Sequence, residues 1–270
     1  MSPKAAAQTD RPLQLVWQGL LRASLRSYEP VAMIVGLASL AAMCLAWWPV
    51  AFTLGALPLP GGLRRRIGRR VIFFGTRSYL WILQYLCLAR IDASALAQLR
   101  PEARLIVVAN HPSLLDAIVF LAYLPNAVCV MKASLQNNPM YGAATRLAHY
   151  VINSSGATLV HAGCSELGRE EGAHLVVFPE GTRTTREPIN PCSRAGALIA
   201  RRARVPIQAV IIEMETPYLG KQWPLFRPPV LPLHCIYRLG PRYEPQADTR
   251  GLTARIERDL ARRGGNRRRR

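Results

Sequence analysis

Acidic residues are the scarce class in this 270-residue chain, with 16 Asp and Glu against 35 Lys and Arg and a formal net charge of +19. So basic a chain is drawn to anionic surfaces: acidic lipid headgroups, an acidic carrier protein or coenzyme A, or nucleic acid. Nucleic acid is the weakest of these. There is no helix-turn-helix, zinc-finger or RNA-binding signature, and few aromatic residues interleave with the arginines. Paired cysteines are also lacking. The six cysteines are scattered singly, mostly within apolar runs, with no C-x-x-C spacing, which suits a reducing compartment. No H-E-x-x-H or comparable spacing joins the five histidines, so no metal is expected, and no cofactor. A G-x-S-x-G nucleophile elbow is missing and no cysteine lies in a catalytic signature, which disfavours a serine or cysteine hydrolase. No internal repeat is visible.

Hydrophobic residues, by contrast, make up 50% of the chain, which is high for a soluble protein. From Leu13 to Tyr28 polar residues recur every four positions at Gln14, Gln18, Arg22 and Arg26, the pattern of an amphipathic helix at a membrane interface or on a domain surface. Val31 to Leu59 then runs without a charge. Its first part, Val31 to Trp48, would span roughly 27 Å as a helix, near the thickness of a bilayer core. A single tilted span and a helix broken at Pro49 that dips in and returns both fit; two complete spans do not. Arginines follow densely at 64, 65, 66, 69 and 70, so the side after the apolar run is expected to be cytoplasmic. Four segments are expected: residues 1–30, a tail and interfacial helix; 31–60, the membrane segment; 61–248, an α/β domain of alternating strands and helices; and 249–270, a closing helix with a basic tail.

Within the α/β segment, Leu105-Ile-Val-Val-Ala-Asn-His-Pro-Ser-Leu-Leu-Asp116 reads as a buried strand running into a helix that begins at Pro112. Five helical steps rotate by roughly 500°, so His111 and Asp116 meet only if His111 lies in the turn ahead of the helix and Asp116 reaches back from it. A carboxylate on one imidazole nitrogen fixes the tautomer and leaves the other free to take a proton. This is a general-base dyad with no nucleophile beside it. A second strand pattern, Leu175-Val-Val-Phe-Pro-Glu-Gly-Thr-Arg183, ends in Glu180, Gly181, Thr182 and Arg183. There Gly181 permits close approach of a ligand and Arg183 offers a fork of donors suited to phosphate. Strands are also expected at Tyr150 to Ile152, Thr158 to Val160, Ile207 to Glu213 and His234 to Leu239, and helices at Pro139 to Ala148 and Glu166 to Glu171.

These two stretches, with Lys132-x2-Leu135-x3-Pro139-x2-Gly142 between them and Val205-Pro206-Ile207-x2-Val210 after them, resemble the 1-acylglycerol-3-phosphate (lysophosphatidic acid) acyltransferase family of phospholipid synthesis. The likeness covers about residues 75 to 245. It implies a glycerolipid acyltransferase-like α/β fold, a mixed sheet covered by helices. It also implies transfer of an acyl group from acyl-CoA or an acyl carrier protein to a lyso-lipid at an anionic membrane surface, in a bacterial cytoplasmic membrane with the catalytic domain facing the cytoplasm. His111 and Asp116 would be catalytic. Glu180, Gly181, Thr182 and Arg183 would bind the acceptor, Lys132 would add positive charge, and Asn110 and Ser113 would shape the dyad turn. Where the family commonly has Gly-x-x-Phe-Ile-x-Arg, this chain reads His149-Tyr-Val-Ile-Asn-Ser154, without the arginine. Other lyso-lipids, or a specialised polyene- or polyketide-type lipid alcohol, therefore stand beside lysophosphatidic acid as acceptors, and a non-enzymatic lipid-binding adaptor is the alternative from another class.

Overall fold

A computed structural model describes residues 3–138 and 142–264. Two long helices open it, α1 (Pro3–Ala56) and α2 (Gly61–Leu86). A sheet of β1 (Ala89–Asp92), β2 (Arg104–Ala109), β3 (Ala127–Lys132), β4 (Val151–Asn153), β5 (Ala173–Val177), β6 (Ile207–Met214) and β7 (Leu233–Tyr243) follows, interleaved with helices α3 (Leu115–Tyr123), α4 (Gly142–Ala148), α5 (Gly156–Leu167), α6 (Ala195–Ala203) and α7 (Thr249–Gly264). The strands lie in the order β1-β7-β6-β2-β5-β3-β4. From β6 to β4 all neighbours are parallel; β7 pairs antiparallel to β6 and carries β1 parallel to itself, which makes the sheet mixed.

Alternation of side chains along the central strands splits the core in two. Leu105, Val107 and Ala109 of β2 face the side covered by α1, α2 and α3, whereas Ile106 and Val108 face α5, α6 and α7. Both faces are buried, which is why these strands read as unbroken apolar runs.

The amphipathic helix and the apolar segment expected separately are one 54-residue helix, α1. The side chains of residues 3–22, and with them most of the expected arginine stripe, lie outside the described residues, as do Pro139 and the basic tail after Gly264. Pro30 and Pro49 do not interrupt α1, and both face outward, where no packed neighbour seals in the carbonyls they leave unpaired. Inward-facing Met33, Leu40, Cys44, Trp47 and Leu54 recur at the spacing of one helix face and pack on the domain; Val31, Ile34, Leu45 and Phe52 point outward. Ala23–Ala56 is long and apolar enough to cross a membrane, yet a third of its most apolar window is buried against protein. It is therefore held along the domain on one side, with its other face open.

Arg69 locks α2 in place. Its guanidinium is buried and donates to Glu166 (2.8 Å), to the Asn126 side chain (2.6 Å) and to the carbonyls of Ala148 and Gly172 (3.3 Å each). Breaking a buried pair of this kind costs about 3–5 kcal/mol, because the remaining charge stays desolvated.

One expected strand and one expected helix are corrected. Glu166 to Glu171 is not a separate helix: Glu166 and Leu167 close α5, and the residues from Gly168 turn into β5. Thr158 to Val160 lies inside α5, because Ser155 caps that helix with its hydroxyl accepting from Thr158 N (3.3 Å), and Gly163 lets α6 approach so closely that an added Cβ would stand 2.8 Å from Ile199 Cδ1. Strand propensity yielded to helix packing there. The β1 strand was not anticipated, since four residues carry too little alternation to read.

Candidate active site

The site forms at the carboxyl ends of two adjacent parallel strands, β2 and β5, the edge at which α/β sheets open a crevice. Helix α3 begins at Leu115, three residues later than the sequence suggests, so Asp116 lies in its first turn and not its second. The turn before it brings His111 Nδ1 to 2.9 Å from Asp116 Oδ2. That same oxygen accepts from Ser113 N (2.8 Å), and Tyr237, on the distant β7, donates its hydroxyl to Oδ1 (3.2 Å). Asp116 is completely buried. Burial pushes its carboxyl above the ordinary carboxylate range, opposed by His111, by the Ser113 amide and by Tyr237. A main-chain N–H on Oδ2 can only donate, and burial beside Asp116 raises the Tyr237 phenol well above its usual value and so keeps its proton on. The donors around Asp116 are those that suit an anion.

The second motif holds the first from the other side. Glu180 Oε1 accepts from His111 N (2.9 Å) and from the Thr184 hydroxyl (2.8 Å), while Oε2 accepts from Asn190 N (3.0 Å). Thr184 N in turn donates to His111 O (2.7 Å). Phe178 stacks on the imidazole with ring centroids 3.9 Å apart and planes 16° from parallel. The ring is thus fixed at one nitrogen, on one face and at both main-chain polar groups of its residue.

A cavity of about 490 Å³ opens in front of His111. Its apolar wall includes Leu40 and Trp47 of α1, Leu114, Ile118 and Leu121 around α3, and Phe178. Lys132, Arg183 and Lys221 supply three cations to its lining, beside Gly181 and Thr182. Gly181 has φ +67°, and a Cβ built on it would meet nothing within 4 Å. Its glycine answers a backbone need and keeps the turn open. Arg183 Nη1 is tethered to the carbonyls of Leu219 (2.6 Å) and Gly220 (3.1 Å), which joins this turn to the loop carrying Lys221.

Not all residues singled out from the sequence reach the cavity. Asn110 is buried and grips β6 in both directions, donating to Ile212 O and accepting from Ile212 N at 2.8 Å each. Ser113 is buried, donating to Tyr218 O (2.6 Å) and accepting from Leu115 N (3.1 Å). Glu180 is occupied by protein donors on both oxygens. Tyr237, Asn190, Phe178 and Lys221 were not assigned to the site. For Phe178, its place beside Glu180 was a usable signal; for Tyr237, 121 positions from its partner, there was none. Among the described residues no group of three or more His, Cys, Asp and Glu side chains is placed to hold a metal.

Known proteins resemble this chain in the region that carries the site. Residues 90–213, from β1 through most of β6, match the family described as Acyltransferase. A 1-acyl-sn-glycerol-3-phosphate acyltransferase of Helicobacter pylori is 31% identical over 113 residues, 40% of this chain and 47% of that one. The protein of that description from Cocos nucifera is 28% identical over 116 residues, covering 41% and 38%. The matched region thus spans less than half the length of these two relatives. The crystal structure of the 1-acyl-sn-glycerophosphate (LPA) acyltransferase from Thermotoga maritima superposes with a TM-score of 0.65 over 88% of this chain and 95% of that one, at 17% identity, which shows a common fold. The dyad at the end of β2 and the glutamate turn at the end of β5 both lie inside the region that matches the Acyltransferase family.

Proposed function

We propose that the protein is a membrane-bound O-acyltransferase that moves a fatty acyl group from an acyl-CoA or acyl carrier protein thioester to the hydroxyl of a lysophospholipid, 1-acylglycerol 3-phosphate giving phosphatidic acid. The observation that carries this reading is a histidine–aspartate pair facing a cavity with apolar walls and three cations.

With Nδ1 held by Asp116, His111 Nε2 takes the proton of the acceptor hydroxyl as its oxygen attacks the thioester carbonyl. The resulting tetrahedral intermediate collapses with loss of the thiolate, which recovers the proton from the imidazolium. Asp116 offsets the imidazolium charge in between. Lys132, Arg183 and Lys221 bind the acceptor phosphate, and the apolar wall takes an acyl chain. Glu180 acts as a positioning residue through the His111 amide, and Asn110 and Ser113 hold the dyad turn. The amides of Ser113, Leu114, Leu115 and Gly181 are already engaged by protein acceptors, so the oxyanion falls to Thr182 and Arg183 of the glutamate turn.

The outward apolar face of α1, with Phe74 and Trp81 of α2 and Phe226 of the loop after β6, meets lipid. Residues 61–248 form the acyltransferase unit, docked on a cytoplasmic membrane surface of a bacterium by the segment before it. A different lyso-lipid or lipid alcohol as acceptor is the second reading. It is favoured by the neutral residues at Asn153 and Ser154, of which Asn153 lines the cavity.

The test is acyl transfer by protein in native membranes, with labelled acyl donor and lysophosphatidic acid, beside His111→Ala at equal abundance. Product from the wild type alone supports reaction and base together. Product only with a whole lipid extract as acceptor moves the reading to the second acceptor class, and undiminished product from His111→Ala removes His111 as the base.

A further inference from the structure

A second cavity, larger than the first at about 940 Å³, lies between the end of α1, the start of α2, α4, β4 and α5. The reaction above does not use it. One side is apolar and comes from Ala51, Phe52, Leu54 and Gly55 of α1. The other side carries Arg64, Arg146 and Arg169, with His149 and His161. Its one carboxylate, Glu166, has both oxygens committed, to Arg69 and to Arg169 (2.8 Å each), so it does not cancel the remaining positive charge.

Three features mark this as a built site. Arg64 is pinned by donation to Leu57 O (2.9 Å), and its Nε is buried with no hydrogen-bond partner. Arg146 is held over the Trp48 ring at 5.2 Å, which places a cation at the boundary of the apolar wall. His149 has φ +56°, a conformation L side chains rarely adopt, at a position that lines the cavity. Such strain persists where surrounding structure maintains it, and it clusters at binding sites.

We propose that this cavity is a second, non-catalytic site for an anionic phospholipid, with the phosphate among Arg64, Arg146 and Arg169 and the apolar part along Ala51, Phe52 and Gly55. Phe52, 79% exposed, stands at the mouth on the outward face of α1, so an acyl chain leaving the cavity continues along an apolar surface. A free phosphate would use the arginines alone and leave that wall bare. The proposal does not rest on the reading of the His111 site, because its test is binding and not transfer.

The test is titration of the purified full chain with dihexanoyl phosphatidylglycerol below its micelle concentration, with inorganic phosphate, dihexanoyl phosphatidylcholine and coenzyme A as parallel probes. Phosphatidylglycerol should bind more tightly than each of the others. Arg64→Gln/Arg146→Gln should weaken it at least tenfold, and Ser165→Trp, which narrows the cavity from an exposed position and removes no charge, should also weaken it. Arg250→Gln/Arg258→Gln, an equal charge loss on α7, should leave it unchanged. Equal binding by the first pair and by wild type overturns the proposal, as does equal loss in the α7 pair. Inorganic phosphate or coenzyme A binding as tightly as the lipid also overturns it, since the apolar wall would then contribute nothing. If the arginine pair fails to fold, Ser165→Trp decides alone.

Discussion

The carboxylate of Glu180 accepts the main-chain N–H of His111 at 2.9 Å, a direct bond between the two motifs across 69 positions of sequence. It explains why a carboxylate belongs beside a cavity that carries three cations: it faces the turn and not the substrate. Glu180→Ala would leave the His111 amide, the Thr184 hydroxyl and the Asn190 amide without their acceptor. The expected outcome is a fall in kcat of roughly 10²-fold through misplacement of the imidazole, with acceptor KM changed far less. Steady-state kinetics over both substrates check this, and a defect confined to acceptor KM would return Glu180 to the binding role that the sequence suggested.

Asp116→Asn should be the more severe change. The amide nitrogen would face either the Ser113 N–H or the Tyr237 hydroxyl, and its oxygen cannot offset an imidazolium, so a loss on the order of 10³-fold or more in kcat is expected with the fold retained. Tyr237→Phe removes one donor from the carboxylate and should cost only several-fold. Because that donor favours the anion, its loss should raise the Asp116 pKa and move the acidic limb of the rate profile to higher pH. A limb that stays put would show that Tyr237 serves packing alone.

The strand–turn pairs around His111 and Glu180 were legible because both strands are buried on two faces and both turns carry residues with a specific chemistry. The resemblance implied that both turns serve one reaction, but neither it nor any spacing implied the bond between them. Thr158 to Val160 misled because three apolar or β-branched residues read alike in a strand and in a helix face, and only the Ser155 cap and the α6 contact decide between them. The long apolar run was legible as apolar, but whether it meets lipid or protein depends on which residues lie opposite. Met33, Cys44 and Trp47 pack inward on the protein, whereas Phe52 is left largely exposed. Asn110 looked like a site residue and proved to be a clamp on β6, since a polar side chain beside a histidine does not reveal its partner.

Tyr150 lines both cavities. Tyr150→Ala should join them and move acyl-donor preference toward longer chains, because the space beyond the ring becomes available to the distal methylenes. Each additional methylene buried is worth about 0.8 kcal/mol, enough to shift preference roughly fourfold per carbon. Competition between donors of graded length is the measurement. An unchanged preference in a variant of normal stability would place the acyl chain elsewhere in the cavity.

His174, in β5, is 2% exposed, and neither ring nitrogen has a hydrogen-bond partner. Burial lowers its pKa from the usual 6.5, and the nearby carbonyls of Glu102 and Leu99 oppose that only in part. His149 is shifted the same way, again chiefly by burial. As pH falls below about 6.5, the unfolded chain takes up protons that the folded chain refuses. Stability is therefore complete above that value and declines below it, by up to about 1.4 kcal/mol per pH unit for each histidine, until the folded-state value is reached. His174→Leu removes one of the two contributions. Its urea midpoint should fall less between pH 7.5 and pH 5.5 than that of the wild type, whatever its absolute stability. Parallel midpoint curves would mean that His174 is protonated as readily in the fold as out of it, and that a water or a shifted carbonyl satisfies the ring.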